Sequence, residues 1–469
     1  GAGQIGFTIF SSTMSLVAVF IPLLFMGGII GRLFREFAMT VTMAVLISAL
    51  VSRTLTPVMC SIFLTHDNPN EHGRFYMLAE RFFDGMLAFY DRGLTWVLRH
   101  QLLTLLPTLL LIVLTGYLYY VIPKGFFPQQ DTGFIFGEVD GRQDSSFAAM
   151  AGLTRQVLDR VRSDPAVSGA VAFVGATGGN ATETTGRMFI QLKPFGERAD
   201  NVAQVIARLR PKVASMLGVK FFMQAGQDIS VGGRLSRTQY QYTLTDTDIG
   251  ELNHWAPIFE QQMQHLPGLQ DVASDQQTAA PHVTVEIDRD RAAQLGISPQ
   301  LVDNTLYDAF GSRVVGQIFT STDQYWIILE VAPQYQNDAN RLAELYIVTA
   351  SGNRVPLSSI ARFRNTVQSL AVNHQGQFPA VTLSFNLEPG VALGQAVDSI
   401  YEMRRRLGAP ATLTGNFQGT AHAFQQSLTS TPLLIAAAIL VVYIVLGVLY
   451  ESYIHPITIL SALPSAGVG

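Results

Sequence analysis

A single cysteine, Cys60, stands in 469 residues. It excludes an internal disulfide and any cysteine-based metal site. Its place inside an apolar run reads as an inert buried thiol. Charge is scarce too: 14% of residues are Asp, Glu, Lys or Arg, against about 25% in soluble globular domains. There is no basic cluster and the formal net charge is −4, so nucleic acid is not an expected partner. The nine histidines are scattered, and none falls in a His-Glu-x-x-His spacing. No serine sits in Gly-x-Ser-x-Gly. No enzyme activity, cofactor or metal is expected from these residues.

What is present is apolar and unevenly spread. The chain is 48% hydrophobic, with a mean hydropathy of +0.26. A membrane-spanning helix needs about 20 mainly apolar residues. Ile5–Met26, Phe37–Leu64, Leu102–Ile122 and Pro432–Tyr450 meet that need, and a fifth run starts at Ile457. Between the second and third runs, Leu78, Phe82, Met86 and Phe89 recur at helical spacing, as do Phe75, Phe83, Leu87 and Leu94. Arg74, Glu80, Arg81, Asp84, Asp91 and Arg92 form the other side. That pattern describes an amphipathic helix on a membrane surface. Arg74, Arg81, Arg92 and Arg99 make this connection more basic than the Arg32/Arg35 turn, which places it on the cytoplasmic side. The segment Lys124–Thr431 is then extracytoplasmic. Arg53 is the one charge well inside a span, where charges are costly and often functional. No acid or histidine lies mid-span, so no proton relay can be built from these spans alone. Gly1 is not a methionine and Gly469 falls within an apolar stretch, so this is expected to be an internal part of a longer chain.

The aqueous segment repeats one grammar. Strand Phe134–Val139, helix Ser146–Arg162, strands Ala170–Val174 and Met188–Leu192, helix Val202–Leu217 and strand Val219–Met223 give β-α-β-β-α-β, the ferredoxin-like unit. The order recurs as strand Gln239–Thr245, helix Ile249–His265, strands Gln270–Ala273 and Val381–Asn386, helix Ala392–Leu407 and strand Ala411–Thr414. An insert, His282–Arg364, interrupts the second unit. Within it Ser298 and Pro299 open a helix, and "RVVGQIFT" and "DQYWIILEV" form a hairpin pair. The fold class is thus an α+β membrane protein with two ferredoxin-like subdomains and an inserted subdomain.

Two features are candidates for function. "GATGGNATETTG", Gly175 to Gly186, lacks the Lys-Ser/Thr of a phosphate loop and reads as a glycine-rich loop between strands, able to change shape. Aromatic residues line up on single strand faces: Phe134 with Phe136, and Tyr240 with Tyr242. Such stripes are more often core than ligand site, although tyrosine hydroxyls need partners.

"IPLLFMGGIIGRLFREFAMTVTMAVLISALVSRTLTPVMC", "VGGRLSRTQYQYTL", "VNHQGQFPAVTLSFNLEPG" and "VYIVLGVLYESYIHPITILSALPSAG" resemble the resistance-nodulation-division (RND) efflux transporters of Gram-negative bacteria. The likeness is strongest to MdtB/MdtC-type multidrug subunits and runs along the whole chain. It implies transmembrane helices five and six in 1–66, a cytoplasmic amphipathic helix in 67–100 and helix seven in 101–123. Porter subdomains would occupy 124–237, and 238–281 with 365–431. A funnel subdomain would occupy 282–364, with helix eight and a cut helix nine in 432–469. It implies a proton-driven exporter of amphiphilic compounds in the bacterial inner membrane, among membrane lipids. The pump would be a homotrimer, or a heterotrimer with a sister subunit, joined to a periplasmic adaptor and an outer-membrane channel. The glycine-rich loop, with Gly175, Gly178, Gly179 and Gly186, matches the family's switch loop but lacks the phenylalanines many members place there. Phe189 matches a distal-pocket position. Phe136, Glu138, Tyr240 and Tyr242 match proximal-pocket positions. The family's coupling acids and lysine lie outside these residues. The alternative is a membrane-anchored binding or export-factor module without proton-coupled transport.

Overall fold

The computed structural model describes residues 2–63, 74–175, 182–229, 231, 236–336 and 338–463. Four helices come first: α1 (Ala2–Leu24), α2 (Gly28–Phe63), α3 (Arg74–Arg99) and α4 (Gln101–Val121). Gly28 takes φ +75° between α1 and α2, and Arg35 reaches back to donate to the Leu24 carbonyl at 3.4 Å. Phe20 and Phe37 meet edge to face across the pair. α2 begins well before Phe37: Arg32, Arg35 and Glu36 break the hydropathy pattern but leave helix propensity intact. Cys60 is exposed on α2 rather than buried. α3 carries its aromatic side outward, with Phe82, Phe83, Phe89 and Trp96 all exposed. α4 buries none of its residues.

Strand β1 (Phe134–Gly141), helix α5 (Phe147–Arg162), strands β2 (Val167–Val174) and β3 (Thr185–Leu192), helix α6 (Val202–Ala214) and strand β4 (Val219–Ala225) form the first subdomain. Its sheet is antiparallel, in the order β2-β3-β1-β4. The helices start where the sequence supplies caps. The Ser146 hydroxyl accepts from the Ala149 N–H, and Asn201 and Gln204 form a capping box. Ile135, Val139, Met150, Val157, Ile190 and Leu209 are among the core residues.

The second subdomain starts with β5 (Tyr240–Thr245), α7 (Ile249–Gln264) and β6 (Leu269–Ser274). The chain then leaves through β7 (Ala280–Ile287) into the insert: α8 (Arg289–Gln294), α9 (Pro299–Phe310), β8 (Arg313–Phe319), β9 (Gln324–Leu329), α10 (Pro333–Gln336), β10 (Tyr346–Val348) and β11 (Arg354–Pro356). It returns along β12 (Ala361–Gln368), antiparallel to β7. β13 (His374–Gln375), β14 (Phe378–Leu387), α11 (Leu393–Leu407) and β15 (Thr414–Gln418) complete the subdomain. β6 pairs β14, β14 pairs β5 and β5 pairs β15, which repeats the strand order of the first sheet. β15 lies later than the expected Ala411–Thr414, because Gly408 ends α11 at φ +62° and Ala411 and Thr412 complete the turn.

The last helices are α12 (Gly419–Leu449) and α13 (Ile454–Leu460). α12 starts well before the expected Pro432. Ala421 and Phe424 are buried in the second core, while the Thr429 and Thr431 hydroxyls bond to carbonyls one turn back. Hydropathy passes over such a polar stretch, but the helix does not. Among the described residues three helical stretches are long and apolar enough to cross a membrane: Ile30–Phe63, Gln101–Val121 and Gly419–Tyr450. Ile9–Leu24 is a shorter apolar stretch.

The first subdomain also holds a buried charge. The Asp164 side chain is fully buried. It accepts from Arg208 at 2.9 and 2.8 Å, Lys212 at 3.0 Å and the Ala166 N–H at 3.1 Å. The Arg208 bonds hold its carboxyl far below the usual range, against the opposing effect of burial, with Lys212 adding to them. A folded-state value below the unfolded one means stabilisation that is complete above the usual carboxylate range and lost as pH falls through the folded-state value. Asp164→Asn should therefore cost about 2–3 kcal/mol at pH 7, the lower end for a buried pair because Arg208 and Lys212 are partly solvated. It should also flatten the acid limb of stability. Amide exchange of α6 across pH measures both; an unchanged acid limb would remove Asp164 as its cause.

Candidate functional site

Strand β1 sorts its side chains by alternation. Ile135 and Val139 enter the first core, and Phe134, Phe136 and Glu138 take the other face. Gly137 lies under Phe221, whose ring would sit 2.6 Å from any Cβ there. Register then assembles the outer face. Phe136 lies opposite Phe189 on β3 and Gln224 on β4, and Glu138 opposite Arg187 and Phe222. Phe136 and Phe189 meet edge to face at 5.7 Å, and Phe173 joins Phe189 at 6.2 Å.

This face borders a cavity of about 290 Å³ between the two subdomains. Phe136, Glu138, Phe189 and Tyr240 all line it, so four sequence candidates come together. Tyr240 closes it from the second subdomain, its ring stacked on Phe385 at 5.7 Å. Phe126, just after α4, and Gly419 and Thr420, opening α12, form part of the wall. Phe126 also meets Phe424 at 6.1 Å. Two apolar helices thus deliver their ends to the site.

Tyr242 does not reach the cavity. It is fully buried in the second core, against Phe417 at 4.9 Å. It shares a strand face with Tyr240, but only Tyr240 and Gln241, at the start of β5, line the cavity, while the middle of the strand is enclosed between β14 and β15. Gly186 also differs from its expected part in a switch. It lies inside β3, opposite Val139 and Val174, where a Cβ would approach the Thr154 hydroxyl to 2.9 Å. Gly175 ends β2 at φ +84°, a conformation that favours glycine. Gly178 and Gly179 lie outside the described residues. Arg53 is far from the cavity and lies along α1, with its guanidinium 3.6 Å from where a Gly6 Cβ would stand.

Electrostatically the wall holds one acid between cations. Burial pushes the Glu138 carboxyl up; Arg237 pulls it down, Asp140 pushes it up and Arg187 pulls it down. Arg237, buried and just before β5, was not a sequence candidate. Its Nε and Nη2 donate to Asp140 at 3.2 Å each, and its Nη1 donates to the Ser274 carbonyl on β6 at 2.8 Å. Nothing periodic marks a loop arginine, so pattern reading passes over it. Gln224 was legible in principle, because β4 alternation sets it opposite Phe136. A wider space of about 750 Å³ lies beyond Arg237, lined by Asp140, Lys220, Glu260 and Gln276 among others.

Residues 1–469 match the family model described as the AcrB/AcrD/AcrF family. The chain belongs to that family. Its members are RND efflux transporters, so the aromatic cavity belongs to a transport protein.

The different positions of the two tyrosines have a measurable consequence. A Cβ at Gly415 would stand 2.1 Å from the Tyr242 hydroxyl. Gly415→Ala should lower stability by about 1–3 kcal/mol through overpacking, while the folded molecules keep their affinity for a fluorescent aromatic amphiphile. Thermal unfolding and dye titration measure the two effects. An affinity loss matching that of Phe189→Ala would return Tyr242 to the binding surface.

Proposed function

We propose that this chain is part of a proton-motive-force-driven pump of the MdtB/MdtC type that exports amphiphilic drugs and related compounds. The observation that carries this reading is the cavity in the seam between the subdomains. Phe136, Phe189 and Tyr240 offer ring faces and edges, and Glu138 offers a buried negative charge. Bulky aromatic cations suit that combination, through stacking, cation–π attraction and charge.

In this reading 1–66, 101–123 and 432–469 belong to the bilayer of the bacterial inner membrane, and 67–100 lies on its cytoplasmic surface. Residues 124–237, and 238–281 with 365–431, are ferredoxin-like porter subdomains on the periplasmic side, and the insert 282–364 is the funnel. The loop from Gly175 to Gly186 gates passage between pockets. The working assembly is a trimer, homomeric or mixed with a sister subunit, joined to an adaptor and an outer-membrane channel. Protonation of acids elsewhere in the pump rocks the helices. The motion reaches the cavity through the junctions of α4 with β1 and of β15 with α12, which border it directly.

The native gene carrying this chain, expressed in cells stripped of their own pumps, provides the test. It should lower accumulation of a cationic dye, and a protonophore should abolish the difference. Phe136→Ala with Phe189→Ala should weaken dye efflux on the order of tenfold, the scale of a lost aromatic pair. Accumulation indifferent to both the gene and the protonophore would leave a binding module without transport.

A further inference from the structure

Arg237 is placed in a way that substrate binding alone does not require. Glu138 stands in the cavity wall with its Oε1 3.5 Å from Arg237 Nε. Among the described residues no hydrogen bond reaches the Glu138 carboxylate, and its side chain is 13% exposed. Arg237 spends its hydrogen bonds elsewhere: on Asp140, which lines the wider space behind, and on the Ser274 carbonyl. Glu138 is therefore ion-paired with Arg237 across 3.5 Å, with Arg187 opposite it on β3, but it accepts no hydrogen bond from Arg237. A carboxylate so placed has open acceptor positions toward the cavity.

A buried arginine that lost its anionic partner would have to find another, because leaving it unpaired is costly. Here it need not. If a cation in the cavity takes over Glu138, Arg237 keeps Asp140 and Ser274. If Asp140 is removed, the nearest remaining carboxylate is Glu138, and Arg237 turns from neighbour into competitor.

We propose that Arg237 and Asp140 set the charge selectivity of the cavity. Asp140 takes the Arg237 hydrogen bonds, so that Glu138 keeps only a 3.5 Å ion pair with Arg237 and its acceptor positions stay open to the cationic group of an amphiphilic substrate. Arg237 is thus a positioning and selectivity residue: it limits how much negative charge the cavity presents, and Asp140 limits how much of that charge Arg237 consumes. The inference rests on the cavity being the binding surface, and it adds the residue pair that sets the preference there for an aromatic monocation over a neutral compound of similar size.

The test uses the purified protein in detergent at pH 7 and two fluorescent probes, the cationic rhodamine 6G and the neutral N-phenylnaphthylamine. Asp140→Asn, nearly isosteric, should weaken the cation about tenfold and the neutral probe less than twofold. Arg237→Gln should strengthen the cation and leave the neutral probe nearly unchanged. Glu138→Gln should erase the preference. Equal changes for both probes in Asp140→Asn, or none for either, would overturn the role of Arg237 while leaving the cavity as a binding site. Should neither probe bind the unmodified protein, the cavity reading falls and this inference with it. Asp140→Asn carries the decision if Arg237→Gln fails to fold, since it keeps shape and removes only charge.

Discussion

Two hydrophobic cores that do not merge leave a polar seam, and Arg237 is one of the buried side chains that join its walls. One core is built on β1, β3 and α6, the other on β5, β14 and α11. Across the seam the ties are hydrogen bonds and ion pairs. Arg237 joins Asp140 to Ser274, Arg210 meets Asp271 at 2.6 Å, and Asn386 donates to the Met223 carbonyl and to Asp271 at 3.0 Å each. Such an interface resists separation far less than a shared apolar core would, and relative motion of the two bodies is its expected behaviour. The cavity exists because the seam is not filled.

The same constraint explains which residues are available to a ligand. A strand face turned toward its own subdomain's helices is consumed by packing, as Ile135 and Tyr242 are. A face turned toward the seam keeps side chains exposed, as with Phe136 and Phe189, while Glu138 and the buried Tyr240 only edge the cavity. The membrane connections add leverage. α12 follows β15 without a linker, through Gly419 at φ +59°. On the other side, the Lys124 carbonyl accepts from the Gly394 N–H of α11 at 3.2 Å. Both apolar helices thus join the second core directly.

Much of this was legible in the sequence. Alternation gave β1 its faces, helical spacing gave α5, α6, α7 and α11, and the repeated β-α-β-β-α-β order gave two sheets of like topology. Four residues that line the cavity could be named: Phe136, Glu138 and Tyr240 where strand period met the family resemblance, and Phe189 from the resemblance alone. What was hidden depended on long-range register or on a lone loop residue. Nothing local distinguishes Tyr240 from Tyr242, two positions apart on one face; the strand's position at the seam decides. Gly186 looked like loop because its neighbours are glycine and threonine, yet sheet pairing claims it. Arg237 lies within the stretch "VGGRLSRTQYQYTL" but has no periodic signal of its own, and only the three-dimensional arrangement sets it beside Asp140, about a hundred residues earlier in the chain. Helix ends were misjudged wherever polar residues remained helical, as at Arg32 and Thr431.

Photoaffinity labelling with an aromatic cationic probe, followed by mapping of the modified residues, tests the central claim most directly. Modification should concentrate on β1, β3 and the start of β5, around Phe136, Phe189 and Tyr240, and an excess of unlabelled compound should suppress it. Modification confined to the exposed apolar surfaces of α3 and α4, or unaffected by that excess, would contradict a binding site in the seam.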